Sequence, residues 1–334
     1  MFAVVLVGGY GTRLRPLTDE IPKPMLPVVN RPMIARLVDH LATGGVTDVV
    51  LALGFKPEPF EIAFPEGVHH GPNGPVNITF AVEPEPLDTA GAIAFAARHA
   101  GIDSTFVVAN GDIITDLAVA DLVARHRVGG QLATIHLTHV DDPSKFGVVE
   151  CDADGVVERF VEKPEPGESA SNMVNAGTYV LEPEVIDLIP SGIRVSVERD
   201  TFPKLVADRQ LGTFTTSDYW IDAGRPELFL AANLDLVDGT RGDEPGIAVD
   251  ATFAASADVV RSVVGPDVDV AEEAAVSGSV LLGDARIGRG AQVLGSIVAG
   301  TVGPGAVVVA SVIGAGYTVA ANAEVSGQKL PSPE

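Results

Sequence analysis

The first half of the chain alternates between short apolar runs and amphipathic stretches. The run from Phe2 to Val7 is apolar throughout, which is typical of a strand buried on both faces of a parallel sheet. Residues 31–43 carry apolar side chains at helical spacing, and the pattern ends at Gly44. Further strands are predicted at 46–53, 76–82 and 105–109, with helices at 89–100 and 117–127. This alternation predicts an α/β fold with a Rossmann-like, mostly parallel sheet.

From residue 131 the pattern changes to strands joined by short turns. Asp154-Gly155 is a hairpin signal between two of these strands. We expect the strands to extend the same sheet and to make it mixed. The elements predicted in this part are strands at 131–138, 146–151, 156–161 and 174–181, and helices at 198–208 and 226–238.

The last third of the chain has a different texture. Residues 239–246 are polar and rich in glycine, which predicts a linker after a first domain at 1–238. Across 247–326 a small or aliphatic residue recurs roughly every third to sixth position, the pattern of hexapeptide repeats in a parallel β-helix. Each coil of such a helix buries its aliphatic residues by stacking on its neighbours. Residues 327–334 are predicted to form a tail.

Charge narrows the classes of partner. The 334 residues include 22 Lys and Arg against 45 Asp and Glu, a net charge of −23. Such a chain should repel nucleic acid and anionic membranes, and no apolar run approaches membrane-spanning length. The single cysteine, Cys151, excludes an internal disulfide and fits a reducing compartment. Since no leader segment is evident before Phe2, we expect a soluble, cytoplasmic protein.

A glycine-rich loop follows the first strand. Gly8, Gly9 and Gly11 lack a Cβ, so their backbone can turn sharply and present N–H groups to an anion. Arg13 and Lys23 then supply cations in a chain that is otherwise acidic. These features predict a triphosphate site. The loop lacks the Gly-Lys-[Ser/Thr] of a Walker A motif and the third glycine of the dinucleotide fingerprint.

The whole stretch from Gly8 to Pro27 resembles the sugar-1-phosphate nucleotidyltransferases. It carries Gly-Gly-x-Gly-Thr-Arg-Leu-x-Pro-Leu-Thr followed by Pro-Lys-Pro-Met-Leu-Pro. The resemblance implies that Arg13 contacts the β- and γ-phosphates and that Lys23 stabilises the transition state at the α-phosphate, both as catalytic residues. It also implies a left-handed β-helix behind the catalytic domain. The nucleotide-binding residues that it implies are Val7, Gly8, Gly9, Gly11, Thr12, Arg13, Lys23, Glu83, Asp88, Thr89 and Gly111.

The resemblance also assigns the sugar phosphate and a metal ion. Asp112, in Asn-Gly-Asp after a strand, and Asp222, in Trp-Ile-Asp-Ala-Gly-Arg-Pro, match the family carboxylates that hold one Mg²⁺. A nucleoside triphosphate and a hexose-1-phosphate are the implied substrates. The residues implied to bind the sugar phosphate are Asn110, Gly147, Glu162, Lys163 and Asn175.

The nucleobase and the sugar are left open by the sequence. Asp88 stands where the family usually has glycine, and it could present its N–H or select a guanine amino group. The segments 6–18 and 174–181 favour a mannose-1-phosphate guanylyltransferase, and a glucose-1-phosphate thymidylyl- or uridylyltransferase is the alternative within the class.

Two further alternatives lie outside the enzyme class. A non-catalytic nucleotide-sugar sensor could have lost Lys23, Asp112 or Asp222, yet all three are present, and a purely structural assembly protein would leave them unexplained. No histidine follows His139, so the β-helix lacks the base that hexapeptide acyltransferases use. We expect homo-oligomers to form through the β-helix.

Overall fold

A computed structural model describes residues 1–9, 11–54, 57–165 and 167–332. Their contacts divide the chain into two compact units. The first comprises residues 1–9 and 34–220, and the second comprises the described parts of 10–33 and 221–334. The segment 10–33 therefore groups with the C-terminal part of the chain, although the sequence places it inside a first domain at 1–238.

The first unit contains a large mixed sheet. The strands of the unit are β1 (Phe2–Leu6), β2 (Asp48–Leu53), β3 (Val68–Gly71), β4 (Gly74–Val82), β5 (Phe106–Asn110), β6 (Ile113–Thr115), β7 (Ala133–His139), β8 (Gly147–Cys151), β9 (Val157–Glu162), β10 (Met173–Leu181) and β11 (Leu211–Thr215). All of them except β6 belong to this sheet, and their order across it is β9-β8-β10-β5-β1-β2-β4-β3, with β7 beside β10 and β11 beside β7. β1, β2 and β4 are parallel to one another and β5 is parallel to β1, because helical crossovers connect them.

Helices cover the sheet and bury its aliphatic residues. α3 is rich in alanine, so its backbone lies close to β1 and β2, and Gly101 ends it in the left-handed conformation with φ of 65°. The core joins Val4, Val50 and Val108 of the central strands to Ile93 of α3. The helices of the chain are α1 (Met33–Thr43), α2 (Glu58–Ala63), α3 (Asp88–Ala100), α4 (Val119–Gly129), α5 (Glu184–Asp187), α6 (Phe202–Ala207) and, in the second unit, α7 (Pro226–Asp235). Among the described residues, no helix combines the length and the apolar character needed to cross a membrane.

The helix predicted at 198–208 forms in two parts. A π-helical turn occupies Val197–Thr201, and α6 follows it. Pro203 has no N–H group, so a continuous α-helical ladder cannot pass through it. The Asp200 and Thr201 N–H groups donate to the Ser196 carbonyl at 3.0 and 3.2 Å. Side chains add to these bonds, because the Ser196 hydroxyl accepts the Arg199 N–H at 3.2 Å and Asp200 accepts the Ser196 N–H at 2.8 Å.

The second unit contains a parallel β-helix that confirms the hexapeptide pattern. Three parallel sheets of five short strands each run along it. Val264, Val270 and Val276 begin three internal aliphatic stacks. The sheets are 252–253, 269–270, 286–287, 301–302 and 318–319; 258–260, 275–277, 292–294, 307–309 and 324–326; and 263–264, 280–281, 297–298, 312–313 and 329–330.

The last of these strands extends the β-helix past residue 326, where the sequence places its end. Val312 pairs with Lys329 and Ile313 with Leu330 in parallel register. Leu330 packs against the β-helix core, which explains why the coil continues. Of the tail expected at 327–334, residues 333 and 334 lie outside the described residues.

A ladder of buried serines follows one edge of the β-helix. Each serine donates to the carbonyl two residues before it and accepts the N–H of the next coil at 3.1 Å. The hydroxyl therefore satisfies a backbone donor that the turn would otherwise leave buried and unpaired. The serines are Ser262, Ser279, Ser296 and Ser311.

We expect Ser296→Ala to destabilise the β-helix. The substitution leaves the buried Ser311 N–H without the Ser296 hydroxyl, a loss of about 1–3 kcal/mol. Urea denaturation followed by circular dichroism would measure it. Ser277→Ala is the matched control, because the Ser277 side chain is exposed, and it should change stability by less than about 0.5 kcal/mol. Equal effects of the two substitutions would contradict a role for the ladder.

Candidate active site

The end of β1 places the first glycines of the loop at the carboxyl edge of the sheet. The Val7 N–H donates to the Ala52 carbonyl at 3.1 Å, which continues the pairing of β1 with β2. A Cβ at Gly8 would lie 3.2 Å from the Gly54 nitrogen, so residue 8 is held close to the backbone beside it. Gly9 is exposed and has open space around its Cα. Tyr10, which the sequence signature includes, lies outside the described residues.

The Asn-Gly-Asp segment reaches the same edge from the neighbouring strand. Leu6 of β1 pairs with Asn110 of β5, and the Gly111 N–H donates to the Leu6 carbonyl at 2.9 Å. Asn110 and Asp112 are half-buried. The parallel register therefore brings Gly8, Asn110 and Asp112 to the carboxyl edge of the sheet, where ligands bind in open α/β sheets.

Residues 83–91 form the segment expected to contact the base, and Glu83 is its first residue. Its carboxylate is buried and accepts the Leu87 N–H at 2.8 Å, so it fixes the turn from residue 83 to 87. A Cβ at Gly8 would lie 3.8 Å from the other carboxylate oxygen, which places this turn beside the glycine loop. Burial raises the pKa of Glu83, and the Leu87 hydrogen bond opposes that shift.

Asp88 begins α3 in the left-handed conformation, with φ of 61°, which explains why glycine suits this position. Its carboxylate is already engaged by protein groups. One oxygen accepts the Thr89 N–H at 2.8 Å, and the other lies 3.0 Å from the Arg199 guanidinium. The carboxylate thus links α3 to the π-helical turn.

Thr89 extends this link. Its hydroxyl donates to Glu198 and accepts the Val197 N–H, both at 2.8 Å. Glu198 also accepts the Ser196 hydroxyl at 2.8 Å. The predicted base-binding segment is therefore tied to the π-helical turn by a network of side chains.

Three residues predicted to bind the sugar phosphate lie together on β8 and β9. Gly147 pairs with Glu162 across these strands, and a Cβ at Gly147 would lie 3.0 Å from a Glu162 carboxylate oxygen. Lys163 follows with φ of 52°, and its Nζ atom contacts Glu162 at 2.7 Å. The Lys163 ammonium is mostly exposed, so a phosphate group could replace Glu162 as its partner at little cost.

Asn175 lies on β10, two residues before Gly177. Its side-chain oxygen accepts the Gly177 N–H at 2.8 Å, and its amide donates to the Tyr179 hydroxyl at 2.9 Å. Gly177 has φ of 75°, and a Cβ there would lie 2.6 Å from the Asn110 amide nitrogen. The two asparagines predicted for the sugar side therefore meet over Gly177.

The Tyr179 hydroxyl is surrounded by acidic groups. Burial raises the pKa of Tyr179 strongly, and the charges of Glu198, Glu162 and Asp112 raise it further. Tyr179 therefore stays protonated at physiological pH and can act as a hydrogen-bond donor.

The rest of the glycine loop belongs to the second unit. Gly11 has φ of 61°, its carbonyl accepts the Thr18 hydroxyl at 2.8 Å, and a Cβ there would lie 3.1 Å from the Lys23 Cβ. Thr12 and Arg13 begin a 3₁₀ turn, and both are exposed. The left-handed glycine lets the loop turn back onto the Lys23 segment.

Lys23 and Asp222 form an ion pair in the second unit. The Lys23 Nζ atom lies 3.6 Å from Asp222 Oδ1, which also accepts the Gly224 N–H at 2.9 Å. A Cβ at Gly224 would lie 2.5 Å from the Lys23 Nζ atom, so the ammonium group packs directly against this glycine. The pair is mostly shielded, with side-chain exposures of 12% and 26%. Its charges therefore interact more strongly than those of an exposed pair.

The structure thus groups the predicted residues into two sets. Those of the first unit lie around the carboxyl edge of β1 and β5 and on β8 to β10, whereas Gly11, Thr12, Arg13, Lys23 and Asp222 belong to the second unit. Sequence reasoning missed Gly224, Arg199 and Glu198. The glycine two residues after Asp222 was a usable signal, but the residues on the π-helical turn gave none.

Comparison with known families matches both parts of the chain. Residues 2–239 match the model of the nucleotidyl transferase family, and residues 243–302 match the model of the GlmU-like C-terminal hexapeptide. The chain therefore belongs to the nucleotidyl transferase family.

Individual relatives agree with this assignment. The chain is 43% identical over 255 residues to mannose-1-phosphate guanyltransferase of Schizosaccharomyces pombe, covering 75% of this chain and 69% of that protein. It is 45% identical over 234 residues to mannose-1-phosphate guanyltransferase 2 of Candida glabrata. That match covers 69% of this chain but only 63% of the relative's length. Among solved structures, HddC from Yersinia pseudotuberculosis complexed with GMP-PN is 31% identical, with a TM-score of 0.57, covering 70% of this chain and 97% of that one.

The raised pKa of Glu83 predicts a pH-dependent stability difference. At pH values between the pKa of Glu83 in the unfolded chain and its higher pKa in the folded protein, the folded protein binds more protons than the unfolded one. The ionised Glu83 therefore lowers the free energy of unfolding as the pH rises. Glu83→Gln should therefore gain stability relative to the parent between about pH 4 and pH 7. Thermal unfolding at both pH values would test this. Glu85→Gln, at an exposed position in the same segment, should show no such trend.

Proposed function

We propose that the protein transfers a guanylyl group from GTP to mannose-1-phosphate and releases GDP-mannose and pyrophosphate. The observation that carries the proposal is the pairing of Lys23 with Asp222 beside Gly224, because it presents a cation and a carboxylate together next to the Gly11 turn. The guanylyl and mannose assignments rest on the relatives named above.

The reaction requires positioning and charge neutralisation more than covalent help. An oxygen of the sugar phosphate attacks the α-phosphorus of GTP and forms a new P–O bond. The bond between the α-phosphorus and the bridging oxygen to the β-phosphorus breaks, and pyrophosphate leaves with the electron pair. Negative charge develops on the leaving group and around the α-phosphorus.

The proposed site residues would divide these tasks. Backbone N–H groups of Gly8, Gly9 and Gly11 would receive the phosphates, Arg13 would hold the β- and γ-phosphates, and Lys23 would neutralise charge at the α-phosphorus. Leaving Asp222 for the α-phosphate costs Lys23 little, because one ionic partner replaces another. The remaining proposed nucleotide contacts are Val7, Thr12, Glu83, Asp88, Thr89 and Gly111.

The sugar phosphate would lie against the wall formed by β8, β9 and β10. Glu162 and Asn175 can hydrogen-bond sugar hydroxyls, and Lys163 can exchange Glu162 for the phosphate. A side chain at Gly147 would meet Phe160 and Glu162, so glycine at this position lets Glu162 stay where it can contact the hexose. Asn110 completes this side of the site.

Asp112 and Asp222 are the proposed ligands of Mg²⁺. The part of the chain that the structure describes contains no group of three or more His, Cys, Asp or Glu side chains that could hold a metal. Two carboxylates nevertheless fit Mg²⁺, which is usually bound by one or two carboxylates together with substrate phosphates. When bound, Mg²⁺ would neutralise phosphate charge during the transfer.

The finer features of the protein are proposals as well. We propose that it acts in the cytoplasm and assembles with copies of itself through the β-helix. The relatives named above do not favour the alternatives, a glucose-1-phosphate thymidylyl- or uridylyltransferase and a non-catalytic sensor.

A pyrophosphate-release assay tests the proposal. GTP, UTP, dTTP and ATP would each be combined with mannose-1-phosphate and with glucose-1-phosphate, with and without MgCl₂. We expect the highest kcat/KM with GTP and mannose-1-phosphate, and no turnover after chelation of divalent metal. Turnover confined to dTTP or UTP with glucose-1-phosphate would overturn the substrate assignment. The absence of turnover with every pair would overturn the proposal that the protein is an enzyme.

Lys23→Ala and Asp222→Ala should each lower kcat by roughly a hundred-fold or more, because each removes a charge from the reacting phosphates. Circular dichroism should show an unchanged fold. Lys204→Ala and Asp208→Ala, both at exposed positions, are the matched charge controls and should leave kcat unchanged. Near-normal turnover in either site variant would contradict its assigned role.

A further inference from the structure

The last strand of the β-helix contacts the loop that carries Arg13. Lys329 lies in this strand, and its Nζ atom donates a hydrogen bond to the Arg13 carbonyl oxygen at 2.6 Å. The two residues are 316 positions apart in the chain, yet both belong to the second unit. A charged donor on a backbone carbonyl is one of the stronger types of hydrogen bond.

A second contact holds the same loop from the adjacent coil. Pro16 packs so closely on Gly314 that a Cβ at Gly314 would lie 2.7 Å from the Pro16 Cγ atom. The Gly314 N–H in turn donates to the Leu330 carbonyl at 2.7 Å, which joins this coil to the strand of Lys329. Gly314 and Lys329 therefore form one continuous support for residues 13–16.

The loop also carries hydrogen bonds of its own, from the Arg15 N–H to the Thr12 carbonyl at 3.3 Å and from the Leu17 N–H to the Leu14 carbonyl at 3.0 Å. Its 3₁₀ turn spans only Thr12–Leu14, with the Leu14 N–H donating to the Gly11 carbonyl at 2.9 Å. Leu14 is buried and anchors the turn, while the Arg13 side chain points to the exposed side. The direction of the Arg13 guanidinium therefore depends on the backbone of residue 13, which Lys329 holds.

We propose that Lys329 is a positioning residue for the reaction, through which the β-helix fixes the Arg13 backbone for binding of the β- and γ-phosphates. This inference rests on the proposed function, in which Arg13 holds the part of GTP that leaves as pyrophosphate. It predicts that substitution of Lys329 weakens the binding of ligands that contain those phosphates and leaves the binding of other ligands unchanged.

The reverse reaction separates these two classes of ligand. Lys329→Met keeps most of the aliphatic stem and removes the donor. It should raise the KM for pyrophosphate and for GTP by roughly five- to ten-fold, the size expected for loss of one solvent-exposed hydrogen bond. The KM values for GDP-mannose and mannose-1-phosphate should change less than about two-fold, and Lys329→Arg should restore the parent values because it keeps a cationic donor.

Gly314→Ala tests the second contact independently. Its Cβ would displace Pro16, so the same two KM values should rise. Gly283→Ala is the matched control in the β-helix, because a Cβ at Gly283 would meet its nearest atom at an ordinary 3.5 Å. Lys204→Met controls for the loss of a surface lysine.

Amide hydrogen exchange provides a readout that does not depend on turnover. In the ligand-free protein, Lys329→Met should speed exchange in a peptide covering residues 11–18, and exchange in peptides from the first unit should stay unchanged. If the parent enzyme shows no turnover with any substrate pair, the proposed function fails, and this exchange result alone decides whether Lys329 holds the loop.

Three results would overturn the inference. The first is a KM for pyrophosphate within two-fold of the parent value in Lys329→Met. The second is a uniform rise of all KM values together with a lower melting temperature, without rescue by Lys329→Arg, which would indicate a merely structural role. The third is unchanged exchange across residues 11–18.

Discussion

The parallel register between β1 and β5 is the constraint on which the first unit depends. Because Leu6 lies opposite Asn110, both strands end together, and the Gly111 N–H caps the last carbonyl of β1. A shift of one residue would turn Asp112 to the other side of the chain and would break that hydrogen bond. Burial of Val4 and Val108 on the core side of the sheet holds the register in place.

The cations of the candidate site lie in a strongly acidic protein and have carboxylate partners. Lys23 pairs with Asp222 and Lys163 with Glu162. Such pairs keep each ammonium group oriented while no substrate is present. The Lys163 ammonium group is mostly exposed, so its pair contributes little stability and a phosphate can replace the Glu162 carboxylate without a large penalty. A net charge of −23 therefore does not prevent binding of polyanionic substrates.

Most elements of the fold could be predicted from the sequence, because the spacing of hydrophobic residues reflects which side of a strand or helix is buried. The strands at 2–6, 48–53 and 106–110, the Ala-rich helix α3 and the hexapeptide coils all lie where the pattern predicts them. The break before Pro203 could have been predicted from the missing N–H group. The pairing of Arg199 with Asp88 could not have been predicted, because the two residues are 111 positions apart and no local pattern links them.

The same limit explains the domain boundary. The composition of the chain changes at the polar stretch 239–246, but composition does not report which distant segments touch. Residues 10–33 join the second unit because specific polar groups meet there: the Val29 N–H donates to Asn233, and Asn30 donates to the carbonyls of Gly246 and Val264. In this family member the loop that carries Arg13 and Lys23 is thus supported by the C-terminal part of the chain. A β-helix that only displayed or oligomerised the enzyme would not need these contacts.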